Sequence, residues 1–133
     1  MARMALLGAA LVAALLPGGA ALALLAPQYY EQARREAQNV VVIAVKAVTP
    51  PSGDYGDCAV AGDVRRVERG AAYKQGQSVT VAVPCSKPGT RPPIGGTIYR
   101  APEALRKAPF GRAYLDGAGA LMLSQYEPLA ALP

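Results

Sequence analysis

Apolar positions fall into three regimes along this chain. Between Met4 and Ala26 no charged residue interrupts them. From Val40 to Val48 they form a short β-branched run, VVVIAVKAV, and beyond Cys58 they alternate with polar positions. The first regime places one Arg ahead of an apolar run, then a Pro-Gly-Gly break and small residues, over residues 1–26. That order is the plan of a signal peptide. Small side chains at the −3 and −1 positions of a cleavage site occur as Gly18 with Ala20 and as Ala21 with Ala23. A retained membrane anchor is the competing reading, because the 23 residues from Met4 to Ala26 span about 30 Å of hydrocarbon as a helix. Pro17-Gly18-Gly19 would break that helix near its middle. Tyr29 and Tyr30 lie where an interfacial aromatic belt would fall. Cleavage is the primary expectation. The first Cys is Cys58, too late for a lipoprotein, and Arg34-Arg35 follows the apolar run instead of preceding it, so general secretion is the route expected.

The remaining pattern predicts a mainly β domain. Gln28 to Asn39 has mixed charge, no Gly or Pro, and Glu31 four residues before Arg35, which supports a short helix. Val40 to Val48 suits a strand covered on both faces. Pro50-Pro51-Ser52-Gly53-Asp54 ends it. Cys58, Val60, Gly62 and Val64 share a face, and the phase then slips to Val67, which predicts a β-bulge near Arg65-Arg66. Residues 71–76 form a connection, and Val79, Val81, Val83 and Cys85 share one face of the next strand, completing a long hairpin. Further strands are expected at Thr97–Arg100, Arg112–Asp116 and Ala120–Tyr126, with a turn of helix at Pro102–Lys107 and a hairpin turn at Asp116-Gly117. The sum is a small five- to six-stranded OB-like Greek-key barrel with one or two short helices, preceded by an apolar N-terminal helix. The expected organisation is residues 1–26 as signal peptide or anchor, 27–39 as a short helical linker, 40–129 as the barrel and 130–133 as a tail.

The hairpin also pairs the cysteines. If its strands meet about the centre of the 71–76 connection, Cys58 and Cys85 lie within a bulge or two of facing one another, each on its strand's Val face. In an oxidising compartment such a pair closes as a disulfide. A redox or nucleophilic Cys would want a CxxC spacing or a neighbouring base, and neither is present.

The run from Cys58 to Cys85 resembles the first hairpin of netrin-like OB-fold domains, the group that includes the tissue inhibitors of metalloproteinases. The resemblance rests on Val60, Gly62, Val64, Arg69-Gly70, Gly76, Val79 and Val81. It implies a barrel. Those inhibitors use a mature N-terminal Cys to ligate the target's zinc and carry several disulfides, whereas this chain has only Cys58 and Cys85, both internal.

Composition narrows the chemistry. At 133 residues the chain has room for one domain. With Arg3 removed, 13 basic and 9 acidic side chains remain, giving about +4, enough for a mild attraction to anionic surfaces and too little for a nucleic-acid footprint. No His occurs, which removes the commonest general base and metal ligand together. Without His nothing activates Ser52, Ser78, Ser86 or Ser124, and Ser86-Lys87 lacks an SxxK frame. Asp54, Asp57 and Asp63 do not match an EF-hand loop and read as turn residues beside Gly. Neither a cofactor nor a metal is expected. Arg65, Arg66, Arg69, Tyr73 and Lys74 on the hairpin, with Lys87 and Arg91 on the following loop, form a candidate binding face. Glu68 and Asp63 dilute it, so a solvated hairpin tip is the alternative.

The expected function is a non-catalytic, exported binding or assembly module of the cell envelope, contacting a protein or an acidic envelope component. Bias toward Ala, Arg, Gly and Pro suits a GC-rich bacterial genome, hence a periplasm. Two alternatives stand beside it: an anchored accessory subunit of an envelope complex that keeps residues 4–26 as a transmembrane helix, and a protease-inhibitor-like domain.

Overall fold

The structure, a computed structural model, describes residues 24–133; residues 1–23 of the segment expected to be a signal peptide or anchor, the apolar helix expected there and both expected cleavage positions lie outside the described residues. In chain order the elements are α1 (Pro27–Glu36), β1 (Asn39–Thr49), β2 (Tyr55–Arg69), β3 (Ser78–Ser86), α2 (Pro102–Lys107), β4 (Phe110–Leu115) and β5 (Leu121–Leu129). The five strands form one antiparallel sheet in the order β3-β2-β1-β4-β5. β1, β2 and β3 follow one another as neighbours and β4 returns to lie beside β1, which is Greek-key order. The sheet curls into a half-barrel. β3 and β5 approach each other across its open side without sharing a ladder.

β1 is central, and its β-branched run explains why. Val41 and Ile43 point into the core with Val60, Val64, Val81, Val83, Leu115 and Tyr126. Val42 points the other way, pairing with Arg66 on one side and Arg112 on the other, and is also 0% exposed. Long arginine stems flank it on that outer face. Arg112 is held there by Glu68, with Nε donating to Oε1 at 2.6 Å and Nη2 to Oε2 at 3.1 Å, and by Glu127 at 2.6 Å.

The bidentate contact from Arg112, set against a smaller cost of burial, holds the Glu68 carboxyl below the usual glutamate value of 4.5. A depressed carboxylate pKa stabilises the fold above its unfolded value and loses that contribution as pH falls through the folded one. Arg112→Met is therefore expected to bring the Glu68 carboxyl titration, followed by NMR, back up toward 4.5 and to flatten stability against pH below it. An unchanged Glu68 titration in that variant would contradict the assignment.

The bulge anticipated near Arg65-Arg66 is present. Val42 pairs with Arg66 and Ile43 with Val64, leaving Arg65 as the extra residue. Further irregularities leave out Glu68 on β2 and Lys46 on β1. The hairpin is also present, but in a different register. Cys58 faces Val83 and Gly56 faces Cys85, and the β2–β3 ladder ends at Asp63 and Ser78. Beyond it, the Val64 amide donates to the Gln77 carbonyl at 2.8 Å, and β2 runs on to Arg69 against β1 alone. The turn is thus asymmetric, and the cysteines sit diagonally. Their Cα atoms are 5.7 Å apart and the Cys58–Cys85 disulfide is formed, fully buried.

The sixth strand expected at Thr97–Arg100 does not form. Only Arg100 bridges, in parallel, to Cys85, with its amide donating to the Pro84 carbonyl at 3.1 Å and its carbonyl accepting from Ser86 at 2.9 Å. The Ile98 amide turns to the Ser124 hydroxyl at 3.3 Å instead of to a ladder, and α2 begins two residues after Arg100. Too little chain remains there for a strand.

Tyr30, Ala33 and Ala37 are buried where α1 packs on β5. Arg69 serves the C-terminal end of this helix, its Nη1 donating to the carbonyls of Arg34 (2.7 Å), Arg35 (3.2 Å) and Ala37 (2.9 Å). These are carbonyls a helix end leaves without partners. Tyr30 donates its hydroxyl to the Gly96 carbonyl at 2.7 Å and accepts the Leu25 amide at 3.1 Å, tying the start of the described chain to the loop before α2.

Candidate functional site

The structure distributes the basic residues singled out on the hairpin and the following loop over its length. Arg65 stands over the Phe110 ring at 6.0 Å. Arg66 lies beside Val42 on the outer face, and Arg69 is engaged with α1. Tyr73 packs against the core. Lys74 is exposed at the connection, where its backbone carbonyl accepts from Gln77 at 3.0 Å. Lys87 and Arg91 are exposed beyond the other end of β3. The 9 residues of β3, at about 3.3 Å each, separate them from Lys74 by roughly 30 Å.

Two concave features lie elsewhere. The first is the open seam of the half-barrel, a cleft of about 530 Å³ lined by Leu25, Ala82, Pro84, Thr97, Leu121 and Leu123 among others. Its β3 wall is a bare strand edge. Alternate β3 residues turn their main chain toward β2, while Pro84 and Ser86 turn theirs outward to Arg100. Thr80 and Ala82 share that outward parity, and neither meets a backbone partner on that side among the described residues.

The opposite wall is distorted. β4–β5 pairing jumps from Ala113 and Tyr126 to Leu115 and Leu121, so Met122 to Gln125 bulge outward opposite Tyr114. Within the bulge Leu123 (φ 43°) and Ser124 (φ 61°) occupy the left-handed region, which costs on the order of 1–3 kcal/mol for each non-glycine residue. The surroundings hold them there: Ser124 accepts the Ile98 amide, Gln125 Oε1 accepts Arg34 Nη1 at 2.6 Å, and Gln125 Nε2 donates to the Leu123 carbonyl at 2.9 Å. The result aims Leu123, 43% exposed, at the cleft. The adjacent polar pair Ser124-Gln125 is the one sequence feature that marks this break in alternation.

The second feature is a hollow of about 410 Å³ between α1 and the β4–β5 pair, lined by Arg34, Arg100, Tyr114, Gln125, Tyr126 and Glu127. Arg100 Nη2 donates to the Tyr126 carbonyl at 2.7 Å. Burial lowers the Arg100 pKa from its ordinary value, with Tyr126 and Glu127 opposing the shift. No local pattern marks Arg34 and Arg100 as one site, because only the fold brings α1 and the segment before α2 together.

Among the described residues no three Cys, Asp or Glu side chains gather as a metal site, and no helix is long and apolar enough to cross a membrane. No protein-family model matches the chain, and neither a curated protein nor a solved structure matches it.

Proposed function

We propose that the chain is an exported, non-catalytic binding module of the cell envelope, built as an OB-type barrel left open between β3 and β5 and acting through that seam. The observation that carries this reading is the unpaired Thr80–Ala82 edge beside an apolar cleft. An exposed strand edge is a template for an added strand: main-chain hydrogen bonds supply affinity and neighbouring pockets select alternate side chains. Five Greek-key strands in a partly open barrel are also what an OB fold comprises. The position of Val60 and Val64 in the core is consistent with the netrin-like resemblance. A buried disulfide favours an oxidising compartment such as the periplasm.

The test is site-specific photo-cross-linking in the native host. A photoreactive residue at Ala82 is expected to capture one discrete envelope protein, and the same residue at exposed Gln75 to capture none. Equal labelling at both sites, or turnover of a substrate by the purified domain in a broad hydrolase screen, would sink the reading.

One observation favours the anchored version. Leu24, Leu25 and Tyr29 are 50%, 39% and 52% exposed at the start of the described chain, an apolar surface next in sequence to the apolar run. Full-length mass in the membrane fraction, with co-purification of a large membrane assembly, would select it over the cleaved form.

A further inference from the structure

We infer that the hollow between α1 and β5 is a carboxylate-binding site for an acidic sugar, with Arg34 and Arg100 holding the carboxylate. The site lies apart from the seam and does not depend on the seam's role. Two guanidinium groups from distant parts of the chain line one hollow, and each is bonded only to a neutral acceptor, Gln125 Oε1 and the Tyr126 carbonyl respectively. Neither takes part in an ion pair among the described residues. The Arg100 Nε–H is enclosed and has no acceptor among the described residues. A guanidinium cannot shed its proton to escape this situation. Burying a cation that no carboxylate contacts is costly, so an anion that bonded it directly would bind with part of that cost relieved.

Charge and size narrow the ligand. Glu127 also lines the hollow, but its Oε1 is bonded to Arg112 at 2.6 Å. Arg34 and Arg100 against Glu127 leave one net positive charge, which suits a singly charged carboxylate and disfavours a phosphate dianion. A fork of N–H donors grips a carboxylate or a phosphate through two parallel hydrogen bonds, so the single net charge is what favours the carboxylate. The volume, about 410 Å³, exceeds a bare carboxylate and admits a sugar ring beside Tyr114. On the far side of Arg34 and Tyr114 a further hollow is lined by Glu31, Arg35 and Arg69, so the basic surface continues in the way a chain of uronate units would need.

The experiment is an NMR titration of the exported protein, isotopically labelled and purified from its host, with trigalacturonate, inorganic phosphate and an uncharged galactose oligomer as separate probes. Trigalacturonate is expected to shift the Arg34 and Arg100 Nε–H resonances and to bind more weakly as salt is added. Arg34→Gln should weaken it at least about tenfold, the weight of a hydrogen bond to a charged group, in a domain that stays folded although the contact to Gln125 is lost. Arg100→Lys, which keeps the charge and loses the fork, provides a second variant should Arg34→Gln unfold the domain, and it should weaken binding likewise. Absence of a shift, an equal response to phosphate or to the neutral oligomer, or undiminished affinity in the folded variants would overturn the assignment. The Ala82 cross-link should persist in Arg100→Lys, whose side chain does not line the seam, which separates this site from the seam.

Discussion

Replacing Cys58 and Cys85 together by Ala is expected to lower stability by about 3 kcal/mol, which for a domain of this size is a fall in Tm of roughly 15 °C. The bond closes a loop across a sequence separation of 27 residues, and opening that loop restores conformational freedom to the unfolded chain. Native contacts are lost too, because both cysteines belong to the buried core cluster that includes Val60, Val83 and Leu105. The double Ser variant should fall further than the double Ala variant. Its two hydroxyls would be buried at positions that are 0% exposed, and an unsatisfied buried hydroxyl costs on the order of 1–3 kcal/mol. Thermal unfolding of the two variants, and of the parent with and without reductant, checks both expectations. A parent whose midpoint ignores reductant would show that the disulfide does not hold the half-barrel.

That disulfide also shows what was legible in the sequence and what was not. Its pairing followed from side-chain parity on two β-branched strands, and parity survives an error in register. The register itself was misplaced because a symmetric turn was assumed, whereas β2 outlasts the β3 ladder and from Val64 to Arg69 pairs with β1 alone. No local pattern announces that one of a strand's two partners ends before the other. The bulge at Arg65 was readable, since an extra residue shifts the phase of every residue after it. The strand expected at Thr97–Arg100 failed for the opposite reason: its apolar and β-branched residues fit a ladder, but the Ile98 amide found the Ser124 hydroxyl first. The candidate site was least legible. Arg69 looked like a free cation and is engaged with helix carbonyls, while Arg34 and Arg100 looked like ordinary surface residues and line one hollow. Charge along a sequence shows how many cations there are; which of them lack an acceptor is decided by tertiary packing.

The second large effect is expected at Gly62, which occupies a core-facing position between Val60 and Val64 where the pattern would otherwise place a β-branched residue. A Cβ there would lie 2.1 Å from the Ala44 carbonyl oxygen, 3.0 Å from its carbon and 3.3 Å from the Val45 Cα. All three are backbone atoms of β1, so no side chain can swing aside to make room. The approach is close because β1 bulges at Lys46, next to the Val45–Gly62 pair, and bends across β2 at that point. Gly62→Ala must push the two central strands apart or flatten the bend, and the expected cost is about 3 kcal/mol or more, the upper range for overpacking. Gly76→Ala provides the contrast: φ is 91° with nothing within 4 Å, so only the left-handed conformation is penalised, by roughly 1 kcal/mol. Comparing the two by chemical denaturation separates steric closeness from backbone conformation. Equal losses would mean that β1 does not press on β2 at Gly62. A much larger loss at Gly62, together with a weakened Ala82 cross-link in whatever Gly62→Ala protein remains folded, would tie the bend to function, since β2 is the strand that carries the β3 edge to the seam.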